Sequence, residues 1–270
     1  MDKEQLKQLA KDSKFISGIY NYCDRWCERC LFTARCLNYA MGEEEDMAEP
    51  ANYDINNKAF WKKIEESLRL AMELLAEMAK EQGINLNEFD DESIKEDHER
   101  QRTKAEEHKL SRSAYEYSEI VNRWFKENHS LLEQREKELN TELELGMDKK
   151  GLDEEAASII DAIEVIRWYQ HQIYVKIMRA LMKDEDDDEF AEKYDFPKDS
   201  DGSAKVALIG MDRSIGAWGR FINHFPEKTE DILMILINLD RLRKSTEKEF
   251  PDARSFVRPG FDTLTSPETR

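Results

Sequence analysis

The residues best suited to chemistry are four cysteines, the chain's full complement, which fall within one short stretch: Cys23, Cys27, Cys30 and Cys36, spaced C-x3-C-x2-C-x5-C. Four soft thiolates at such short range can wrap a single metal centre. On a helix, Cys23, Cys27 and Cys30 share one stripe at i, i+4 and i+7. Cys36 lies about 240° further round at roughly 100° per residue, so the chain must turn near Leu31–Thr33 to bring it in. Zinc sites usually pair two knuckles separated by a longer stretch, and only Cys27-x-x-Cys30 is a knuckle here. Compact four-cysteine runs belong more often to [4Fe–4S] clusters, whose thiolate-ligated core keeps net negative charge. Arg25, Arg29 and Arg35 interleave the cysteines and can offset that charge, while Tyr20, Tyr22, Trp26, Phe32 and Tyr39 can screen a cluster from water. A Zn2+ staple and a set of unrelated buried thiols remain the alternatives.

The run Cys27-Glu28-Arg29-Cys30-Leu31-Phe32-Thr33-Ala34-Arg35-Cys36 resembles the C-x2-C-x(aromatic)-x3-C signature of iron–sulfur RecB-like nucleases, including the CRISPR-associated ones. It is similar, too, to part of the auxiliary-cluster motif of SPASM-type radical enzymes. The resemblance covers about ten residues and implies [4Fe–4S] ligation by Cys27, Cys30 and Cys36. It does not extend to catalysis: the nucleases' fourth ligand lies far off in sequence, whereas Cys23 is adjacent here. Neither the nuclease acid/lysine core nor a radical-enzyme barrel is visible.

The elements that must position these cysteines are helical. The chain has 270 residues, with only 10 Gly and 6 Pro, 40% hydrophobic and 37% charged residues, and a net charge of −18. That acidity argues against nucleic acid as a partner and suggests that a redox partner docks through a basic patch. No stretch approaches the ~18 apolar residues of a membrane span, and the N-terminus has no signal-like apolar run. A cytoplasmic location follows, where clustered cysteines more often hold metal than form disulfides. Helical periodicity is read over 2–16, 57–82, 103–144 with a bend near Asn128-His129-Ser130, 153–183, 204–224 and 226–250. Lys205–Gly210 is the one strand-like alternative. The expectation is an all-α antiparallel bundle of five or six long helices with an N-terminal four-cysteine metal-clasping segment. Its parts are residues 1–50, a bundle over 51–250 and an extended tail over 251–270.

Several polar groups sit on or beside apolar stripes. On the 153–183 helix Arg167 and Gln170 fall within the apolar arc, with Glu164 and His171 at its edge. Arg213, Arg220 and His224 share one side of the next helix, and Arg243, bordered by Asp240, lies on the apolar side of the last. If those faces meet, Glu164, Arg167, His171, Arg213, Arg220 and His224 would line a buried pocket for an anion or metal. The plainer reading is interhelical ion pairing, Glu164 or Asp161 to an arginine. No Glu-x-x-His occurs, which argues against a di-iron bundle. Gly210, Ser214, Ala217 and Gly219 read as small residues for close helix packing, and the acidic run Asp184–Glu189 as a solvated loop or hard-cation site. Three functions are compatible with these features. They are an iron–sulfur protein of electron transfer or redox sensing, a non-enzymatic interaction protein with a zinc staple, and a bundle enzyme built on the polar pocket.

Overall fold

The computed structural model describes residues 3–46, 58–81, 83, 91–182 and 198–262. Among them the protein is all-α, with no strand. The helices are α1 (Lys3–Ala10), α2 (Leu37–Asp46), α3 (Lys58–Glu81), α4 (Asp91–Glu107), α5 (Lys109–Glu127), α6 (His129–Glu144), α7 (Lys149–Leu181), α8 (Asp199–His224) and α9 (Thr229–Glu249). Lys205–Gly210 lies inside α8, so the strand alternative falls. The acidic run Asp184–Glu189 lies outside the described residues. No described helix is long and apolar enough to cross a membrane.

Two compact units are present: Met1–His98 with Val257–Arg270, and Glu99–Phe256. The residues from Val257 onward group with the N-terminal ones, although they are distant in sequence. The described part of the C-terminal segment is also turned rather than extended. Ala253 N–H donates to Phe250 and Phe256 N–H to Asp252, with Ala253 and Phe256 buried. Apolar side chains there outweigh the local preference of Pro251 for open backbone.

The larger unit is organised by α7 and α8, which pack along their lengths, with α5 against α7 and α9 against both α8 and α5. The expected 103–144 helix is divided into three. At the first break the ring Nδ1 of His108 accepts the Leu110 N–H at 3.3 Å and caps α5. At the second, buried Asn128 donates its side-chain amide to the Trp124 carbonyl at 2.8 Å and ends that helix. Trp124, Phe125, Trp218 and Phe221 interlock mostly edge to face, with Trp124 and Trp218 centroids 5.1 Å apart. The Trp218 indole N–H donates to the Tyr117 hydroxyl at 3.2 Å. Burial pushes the Tyr117 phenol up to about 12, so it stays a neutral donor and acceptor.

The small residues of α8 divide into two kinds. Ser214 and Ala217 are fully buried, and a Cβ on Gly210 would meet the Tyr169 ring at 2.9 Å and Ile173 at 3.2 Å. Gly210 therefore sets how closely α7 and α8 approach. Gly219 has open space where a Cβ would go. Gly210→Ala is expected to destabilise by about 1–3 kcal/mol through overpacking, and Gly219→Ala to be neutral or stabilising by up to about 1 kcal/mol through helix propensity. Urea titration followed by circular dichroism checks the opposite signs.

Candidate metal centre

The cysteines sit in irregular backbone between α1 and α2. Residues 11–26 run through turns, two short 3-10 turns follow at Cys27–Arg29 and Thr33–Arg35, and α2 begins directly after Cys36. The helical stripe through Cys23, Cys27 and Cys30 is thus replaced by a folded loop. The loop is tied at several points. Ile16 N–H donates to the Arg35 carbonyl at 3.0 Å, Cys30 N–H to Cys27 O at 3.1 Å and Cys36 N–H to Thr33 O at 3.1 Å. Asp24 accepts the Trp26 N–H at 3.2 Å, which closes an Asx turn around Arg25. Arg25 takes the left-handed conformation (φ 58°), uncommon for a non-glycine residue.

This loop brings the four cysteines to the wall of one small cavity. Ile19, Tyr20, Trp26, Phe32, Tyr39 and Phe261 complete most of the apolar wall. The space in the cavity that takes a water-sized body is about 20 Å3. All four cysteines are half-buried and none forms a disulfide. Burial first, and then the neighbouring sulfurs of Cys23, Cys30 and Cys36, hold the Cys27 thiol above its usual pKa. The Phe32 N–H donates to Cys30 Sγ at 3.4 Å, a bond that favours charge on sulfur. The Cys23 thiol instead points to the Tyr20 carbonyl, at 3.5 Å. Among the described residues no three His, Cys, Asp or Glu side chains are already placed to hold a metal ion. The donor set suits a soft metal, but the thiols face a common space without converging into a finished polyhedron.

The aromatic and arginine residues divide in role. Trp26 and Ile19 are buried, and the Arg29 guanidinium stacks on Trp26 at 4.1 Å. Arg35 turns to the Lys14 carbonyl at 3.4 Å. Phe32 meets Phe261 edge to face at 5.0 Å, and Arg258 covers Phe261 at 4.8 Å while pairing with Asp262 at 3.0 Å. Gly260 has φ 77°, and a Cβ there would lie 2.9 Å from both Ile16 and Ile19. The segment 258–262 is the part of the site that sequence reading missed. Its signals were Gly260 and Phe261, far from the cysteines in the chain and without a local pattern to link them.

The six polar residues considered for a pocket do not enclose one. Glu164, Arg167, His171, Arg213 and Arg220 are exposed and His224 is half-buried. Long side chains at a stripe edge reach out and pair across helices instead of turning inward. Arg220 pairs with Asp161 at 2.7 Å. The His224 ring lies 2.9 Å from the Ser158 hydroxyl and 3.8 Å from Glu155. Arg167 donates to Asn122 at 3.2 Å and stacks on Phe125 at 4.1 Å, and desolvation lowers its pKa. Arg213 donates to the Tyr169 hydroxyl. Arg243 and Arg254 converge on Asp212 at 3.1 and 2.6 Å. Burial would raise the Asp212 carboxyl, but hydrogen bonds from Arg254 and Arg243 outweigh it and hold it below its usual 3.8.

No family model matches the chain, and neither a curated protein nor a solved structure matches it.

Two outcomes follow from these contacts. A folded-state pKa held low contributes stability that is complete above the unfolded value and is lost as pH falls through the folded one. Asp212→Asn should therefore destabilise by about 1 kcal/mol at neutral pH, given how much of the network is exposed. The difference should vanish on acidification below 3.8, as read by thermal melts across pH. Gly260→Ala should lift Phe261 from the cavity wall. Cysteine labelling of metal-free protein by a bulky maleimide should then run several-fold faster than in the parent.

Proposed function

We propose that the protein is an iron–sulfur protein in which Cys23, Cys27, Cys30 and Cys36 hold a [4Fe–4S] cluster that transfers electrons or senses oxidants. The observation that carries this reading is that all four cysteines line one aromatic-walled cavity. Supporting it are the Phe32 N–H donated to Cys30 Sγ and the half-buried state of every cysteine, since hydrogen bonds to sulfur and limited solvent exposure are what tune a cluster's potential. Half-burial also keeps a cluster close to the surface, where electrons or oxidants arrive. The polypeptide would supply four thiolates, while Arg25 and Arg29 offset their charge. The helical body, read as an antiparallel bundle, serves as the carrier, and the overall acidity suits a redox partner with a basic face.

A second reading has one specific observation in its favour. The space between the four thiols that takes a water-sized body is small, about 20 Å3, a scale closer to one ion than to a four-iron cluster. The protein would then be an interaction module stapled by Zn2+.

Anaerobic purification decides between them. The cluster reading expects brown protein absorbing near ~400 nm with about four irons per chain, lost in Cys27→Ala and Cys30→Ala. Colourless protein with one zinc, lost in the same variants, overturns it and supports the staple. Protein holding neither metal after reconstitution with iron and sulfide, or with zinc, overturns both.

A further inference from the structure

Helix α3 carries a strongly patterned surface that its own unit leaves open. Trp61, Ile64, Leu68, Ala71, Leu75 and Met78 follow one another at spacings of 3, 4, 3, 4 and 3. That is the alternation of the a and d positions of a coiled-coil seam, with period 3.5. Buried seams of this kind normally face another helix. Here Trp61 is 55%, Leu68 60%, Leu75 59% and Met78 57% exposed, with Met72 alongside at 71%. The opposite side of α3 is the covered one: Leu70, Leu74 and Glu77 are half-buried, and Glu77 accepts a salt bridge from Lys7 of α1 at 2.6 Å.

We infer that the open seam of α3 is a homodimer interface, in which α3 of one copy packs antiparallel against α3 of a second. The inference is independent of any metal at the cysteines. Three observations select a second copy in that orientation. The first is area. At roughly 200 Å2 for a fully exposed large apolar residue, the seam with Met72 offers roughly 700 Å2 per chain. That is more than the ~300–600 Å2 patch of a typical monomer and close to the ~800 Å2 each partner gives a standard interface.

The second is self-complementarity of shape. Pairing about the midpoint between Arg69 and Leu70 sets Trp61 of one copy opposite Met78 of the other, Ile64 opposite Leu75 and Leu68 opposite Ala71. Every layer then joins an a position to a d position, and large residues face smaller ones in the central layers. The third is charge. Residues 58–69 carry Lys58, Lys62, Lys63 and Arg69 against Glu65 and Glu66, a net +2; residues 70–81, leaving aside Glu77 on the covered side with Lys7, carry Glu73 and Glu81 against Lys80, a net −1. Antiparallel pairing lays each positive half on a negative half, while parallel pairing would lay like on like.

Sedimentation equilibrium of the full-length protein near ~10 μM is the test, and the expected species has twice the chain mass. Leu68→Glu with Leu75→Glu should give a single chain mass with unchanged helicity. A pair of surface changes tests the same interface without touching its apolar residues. Lys58→Glu with Lys62→Glu should weaken dimerisation at least tenfold, and adding Glu73→Lys with Glu81→Lys should restore it. A parent protein that sediments as one chain overturns the inference, whether α3 is then covered within the chain or by another protein. A dimer indifferent to both sets of substitutions overturns it as well.

Discussion

Four thiols facing one apolar cavity place an electrostatic constraint on the N-terminal unit. Negative charge gathered on sulfurs that share a small, poorly solvated space is mutually repulsive. The raised pKa of Cys27 is this constraint seen at one sulfur, with burial first and the three neighbouring sulfurs behind it. A soft cation would remove the conflict, because it converts mutual repulsion into shared attraction. The surrounding residues are arranged in keeping with that demand. A backbone N–H points at one sulfur, a guanidinium stacks over the aromatic floor, and phenylalanines close the wall.

The geometry that satisfies the constraint is not local. The cysteine loop has no regular helix to hold it, so its shape depends on packing from elsewhere. Gly260 fits against Ile16 and Ile19 because it has no Cβ, and its left-handed backbone turns Phe261 toward Phe32. The Arg258–Asp262 pair holds this turn closed. A unit of this size has little apolar core of its own beyond Ile19, Trp26 and Ala79 among its described residues. A bound metal would therefore supply folding free energy as well as chemistry.

How much of this the sequence discloses depends on the range of the interactions. The all-α class is legible because helical periodicity is a local property, and the limits of α3 fall within a residue or so of those read from spacing. The bend near Asn128 is legible for the same reason, although the His108 cap is not, since a histidine there looks like any exposed residue. The common location of the four cysteines follows from their short spacing. The stripe proposed for three of them does not survive, because asparagine, aspartate and glycine at positions 18–24 favour turns over helix. The imagined polar pocket fails on a finer point. A helical projection gives the angle of Cα–Cβ, but the heads of Arg167 and Arg220 lie several bonds further out, where they find Asn122 and Asp161 on neighbouring helices.

The two units answer the shortage of apolar residues in different ways. The larger one concentrates its aromatics in a single core and lets α7 and α8 approach to glycine distance at Gly210, so that few residues do much packing. The smaller one has Trp61, Leu68 and Leu75 on its surface while keeping cysteines half-covered inside. An apolar stripe left open lowers solubility unless it is matched, and a chain of net charge −18 repels its own copies at long range. A charge-split helix reconciles these demands. Bulk acidity discourages indiscriminate association, whereas the opposed halves of α3 favour one register of one specific pairing, at the short range where the Debye length permits it.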